Sequence, residues 1–90
     1  MKIKDFNNNN LNIGDSIFFN HKMSEQVIAK ISYTKSGKTL FIKSTDIIKC
    51  SNNLKNHIQY CEKINNKHSI DKKLYIHTLC VYCNRVIKIN

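Results

Sequence analysis

Two pairs of residues in this chain have the types and spacing to grip a soft divalent cation. Cys80 and Cys83 form a Cys-x2-Cys, and His57 and Cys61 form a His-x3-Cys. Thiolate sulfur and neutral imidazole are the ligands zinc takes, four of them at the corners of a tetrahedron. Residues four apart share a face when the backbone is helical, so His57 and Cys61 can aim at one ion. A Cys-x2-Cys does the same when a tight turn between two strands points both thiols at one place and neighbouring amides hydrogen-bond the sulfurs. Asn84, just after the second cysteine, tolerates the left-handed backbone such a turn uses. The expectation is one structural Zn2+ per chain on His57, Cys61, Cys80 and Cys83, with Cys50 and then His77 as alternates.

The helix pair followed after eighteen residues by the Cys-x2-Cys resembles a zinc finger with its order inverted. Two other readings remain open at this stage. The cysteines could be half-buried apolar filler. They could also be redox-active, although a strand-like run follows Cys83 where an activating helix dipole would be needed. Four protein ligands would fill the metal and leave no place for an activated water, so the zinc would be structural. Glu62 and Asp71 read as surface acids rather than general bases, and no phosphate-cradling glycine loop is present. The chain reads as non-enzymatic.

The elements that must position these residues follow from periodicity. Leu54, His57, Ile58, Cys61 and Ile64 fall on one helical stripe, with Ser51, Asn52 or Asn53 available as N-cap. Before it, Val27, Ala29, Ile31 and Tyr33 alternate with Ile28, Lys30, Ser32 and Thr34, and Leu40 and Ile42 resume the alternation after a turn at Lys35-Ser36-Gly37-Lys38. A strand through Ile17, Phe18 and Phe19 precedes that hairpin. After the helix, 74–79 and 85–89 alternate again and flank the cysteine pair. The fold class expected is α+β, mainly β. Residues 1–11, with Asn7 to Asn10, read as a flexible arm. Residues 12–49, opening on Ile13-Gly14-Asp15, resemble a small SH3-like or KOW-type barrel. Residues 50–90 read as a helix plus a zinc-knuckle hairpin packed on it.

Ninety residues carry a net charge of +9, with 15 Lys and Arg against six Asp and Glu. Lys, Ile and Asn account for 41 positions, and 14 of the basic residues are Lys. The shortage of acids is the informative half of that imbalance, because a positive field draws polyanions. Lys30, Lys35, Lys38 and Lys43 decorate the hairpin, and Lys72, Lys73, Arg85 and Lys88 follow the helix. Tyr82, between the two cysteines, is the aromatic best placed to stack on an exposed base. A single Arg argues for backbone-driven binding rather than base readout.

The function expected is therefore a small basic RNA- or DNA-binding protein with a structural zinc. The alternative is a phage- or mobile-element-type regulator that binds a host nucleic-acid-processing protein such as a polymerase, nuclease or ribosome. No apolar run is long enough to span a bilayer and the N-terminus lacks a signal-like apolar centre, so a cytoplasmic monomer or small homo-oligomer is expected.

Overall fold

The computed structural model describes residues 3–22, 25–35, 37–68 and 73–89. It is mainly β with one helix. The strands are β1 (Ile3–Lys4), β2 (Asn10–Leu11), β3 (Ser16–His21), β4 (Glu25–Lys30), β5 (Tyr33–Lys35), β6 (Thr39–Lys43), β7 (Ile47–Cys50), β8 (Thr78–Tyr82) and β9 (Ile87–Lys88); the helix α1 (Asn52–Lys67) lies between β7 and β8. No helix among the described residues is long and apolar enough to cross a membrane.

β3 and β4 pair because their alternation matches. Ile17 faces Ala29 and Phe19 faces Val27 across the ladder, and all four are buried. β7 and β9 add to the two edges, giving the order β7-β4-β3-β9. β5 and β6 form the expected hairpin, with Gly37 at φ 73° in its turn, a conformation that favours glycine. β8 then pairs with β6, so the second sheet runs β5-β6-β8.

The core fills the space between the two larger sheets and α1. Leu40 and Ile42 come from β6, Leu79 from β8, Leu54 and Ile58 from α1, and Val86 from the approach to β9. Each such side chain, fully buried, contributes roughly 1.5–3 kcal/mol. α1 starts at Ser51, whose hydroxyl accepts from Leu54 N at 3.1 Å, and the predicted stripe turns Leu54 and Ile58 inward.

Three expectations change. The strands form separate two-, four- and three-stranded sheets instead of one closed barrel. The long alternating run through 25–34 is cut at Ile31 and Ser32. Ser32 Oγ donates to Asp46 and accepts from Lys43 N, and the chain crosses there from one sheet to the other. The runs flanking the cysteine pair are not a hairpin. β8 passes through Cys80 and pairs with β6, while β9 pairs with β3, and a 3-10 turn at Cys83–Arg85 carries the chain between the sheets.

Residues 3–11, expected as a flexible arm, are tied down. β1 pairs with β2, and Leu11 enters the core. Asp5, only 5 % exposed, accepts hydrogen bonds from the backbone of Asn7, Asn9 and Lys88 and from the Asn9 side chain. Burial pushes its carboxyl up, but those four hydrogen bonds outweigh it and hold it below the ordinary value.

Candidate nucleic-acid interface

The three-stranded sheet buries one face and presents the other. Leu40, Ile42 and Leu79 point inward, so the alternate residues point out. The outward set is Tyr33 and Lys35 on β5, Thr39, Phe41 and Lys43 on β6, and Thr78, Cys80 and Tyr82 on β8, with Tyr33, Phe41 and Cys80 in one cross-strand row. None of these eight is acidic.

The Tyr33 and Phe41 rings stack at 4.9 Å, within 5° of parallel, and the Lys43 ammonium sits 5.9 Å from the Tyr33 ring centre. Offset stacking and a cation over a ring face are both favourable for aromatic quadrupoles. Tyr82 is 61 % exposed and diagonal to Phe41 across the ladder. The short side chains of Thr39 and Cys80 stand opposite Tyr82 and Phe41 in the register. At the Tyr82 end the face runs into an open cleft of ≈ 590 Å³, whose lining includes Lys4, Lys38, Tyr82, Asn84 and Arg85. Cys83 N donates to Lys38 O at 2.8 Å and holds the hairpin turn against the 3-10 turn.

Of the basic and aromatic residues singled out from sequence, Lys35, Lys43 and Tyr82 share this face, and Lys38 and Arg85 line its end cleft. Lys30 lies on the other large sheet, at the end of β4. Lys88 is half-buried, with its ammonium 3.5 Å from Asp15 and 3.4 Å from Asn10 O, so it is engaged in the fold. Lys73 is exposed ahead of β8, and Lys72 lies outside the described residues. Tyr33, which continues the Val27, Ala29, Ile31 alternation, and Phe41, on the β6 face opposite Leu40 and Ile42, are the aromatic centre of the face. The break at Ser32 reverses the parity that buries Ile31.

The metal candidates separate into two groups. Cys80 is exposed beside Phe41, whereas Cys83 packs against the core, as does Cys50. The Cys-x2-Cys is therefore not the tip of a knuckle. His57 and Cys61 do meet on α1, with Nε2 and Sγ 3.6 Å apart. His77 joins them, its ring edge-on to His57 at 5.9 Å between centres.

His77 is held there by the helix. Glu62 accepts from His77 N at 2.8 Å and from Ser44 Oγ at 2.6 Å. Asn66 accepts from Tyr75 N at 2.6 Å and donates to Tyr75 O at 3.3 Å. The Tyr75 hydroxyl is 3.2 Å from His77 Nδ1. His21, at the end of β3, is pulled below the ordinary histidine value by burial and by Lys22, with Glu25 opposing and His77 and His57 adding to the lowering. Among the described residues no group of three or more His, Cys, Asp or Glu side chains is placed, as it stands, to hold a metal ion. No family model, curated protein or solved structure matches this chain.

Proposed function

We propose that this is a small, non-enzymatic, basic protein that binds single-stranded RNA or DNA across the outward face of β5-β6-β8. The observation that carries the reading is that acid-free face, with two stacked rings, a lysine over one of them and an exposed tyrosine diagonal to Phe41. Aromatic faces take bases regardless of sequence, and lysines around them hold phosphates as point charges. Lys38, Arg85 and Lys4 extend the cationic track into the end cleft. Binding of this kind is driven by the nucleic-acid backbone and is weakly selective.

The test is fluorescence anisotropy with labelled oligouridine and oligodeoxythymidine of about ten nucleotides, a length in the range of one such platform. Tyr82→Ala is expected to weaken binding by about 1–2 kcal/mol, the worth of one stacked base. Lys43→Ala is expected to weaken it as well, and Lys30→Ala, on the other sheet, to leave it unchanged. Equal effects at Lys30 and Lys43, or no binding at low salt, would overturn the proposal.

A further inference from the structure

The histidine and cysteine side chains at the junction of α1 with the 73–77 segment are not used by the nucleic-acid face. We propose that Cys61, His57 and His77 form a zinc site that clamps the 73–77 segment to the helix.

The first argument is metric. Zn–N of about 2.05 Å and Zn–S of about 2.3 Å at a tetrahedral angle place nitrogen and sulfur about 3.6 Å apart. The His57 Nε2 to Cys61 Sγ separation is 3.6 Å. One edge of the tetrahedron is thus already set by the i, i+4 spacing on α1. The second argument is orientation. Metal-bound histidine commonly uses its other ring nitrogen in a hydrogen bond that fixes the ring. His77 Nδ1 has that partner in the Tyr75 hydroxyl at 3.2 Å. In the tautomer where Nδ1–H donates, His77 Nε2 keeps a lone pair for the ion.

The third argument is preorganisation. Glu62 and Asn66, further along α1 from His57, bind the backbone of His77 and Tyr75, so the ligand from the 73–77 segment is positioned by the helix that carries the other two. A small rotation of the His77 ring from its edge-on contact with His57 brings its nitrogen toward the edge those two define. One thiolate and two imidazoles are ligands suited to zinc. On binding, the Zn–S bond forms as the Cys61 thiol proton leaves to solvent.

The full chain, purified without added metal, should contain near one zinc by elemental analysis. Chelator competition near neutral pH should show His57→Ala and His77→Ala each weakening zinc on the order of a hundredfold, one ligand's share of the site. Cys80→Ser should keep wild-type affinity. Cobalt titration of the unmutated chain gives a reading independent of any variant's folding. A tetrahedral spectrum with the charge-transfer intensity of one thiolate supports the site. Zinc content near zero would overturn it. So would loss of zinc in Cys80→Ser together with the intensity of two or more thiolates, since that would assign the ion to the Cys-x2-Cys pair.

Discussion

Asp5→Ala tests how the two ends of the chain are joined. Its carboxylate is nearly inaccessible to solvent and accepts from three backbone amides, those of Asn7, Asn9 and Lys88, the last reaching across the sequence to β9. Removing the carboxylate leaves three N–H groups without their acceptor. At about 1 kcal/mol for each, part of that loss being recovered by water, the cost is about 3 kcal/mol. For a domain of this size that corresponds to a fall in Tm on the order of 10–20 °C. Urea unfolding followed by circular dichroism at neutral pH measures it. A loss below about 1 kcal/mol would refute the reasoning, since it would mean the amides find equivalent partners without the carboxylate.

The same residue sets a pH dependence. A carboxyl whose folded pKa lies below its unfolded value stabilises the fold at pH above that unfolded value. The contribution is lost as pH falls through the folded pKa. Asp5 is in this class, so the unmutated chain should lose stability in acid below the ordinary carboxylate range. Asp5→Asn should show a correspondingly flatter acid limb, because this group no longer titrates.

Two further perturbations probe the helix and the segment it holds. Ser51→Ala removes the hydroxyl that accepts from Leu54 N and should cost about 1 kcal/mol in thermal unfolding. Glu62→Ala removes the acceptor shared by His77 N and Ser44 Oγ, and should cost about 1–3 kcal/mol. Faster amide exchange at His77 in that variant, with α1 protection unchanged, is the expected pattern.

Much of the local structure was legible in the residues. The Leu54, Ile58 stripe and the Ser51 cap marked α1, and Gly37 marked the turn between β5 and β6, because helices and hairpins are built from neighbours in sequence. The alternation of Val27, Ala29 and Ile31 predicted their burial. What sequence did not carry was non-local. The β6–β8 and β3–β9 pairings join segments far apart in the chain, and they decide that the two cysteines face different surroundings.

Ser32 ends one alternation through bonds to Asp46 and Lys43, and nothing in its immediate neighbours announces that. Its effect is to turn Tyr33 outward, although Tyr33 continues the alternation that buries Val27, Ala29 and Ile31. Asp5 left one local clue. An Asp followed at two and four positions by Asn can fold its own amides around its carboxylate, as Asx turns do.

The central claim, that the β5-β6-β8 face holds a nucleic-acid backbone, is tested most directly by the salt dependence of oligouridine binding. About five cations, Lys35, Lys43, Lys38, Arg85 and Lys4, border the face and its end cleft, so log affinity against log salt should be linear with a slope of about −3.5. Removing Lys38 and Arg85 together should make that slope shallower by about 1.4. A slope near zero, or one unaltered by that pair of substitutions, would contradict the account.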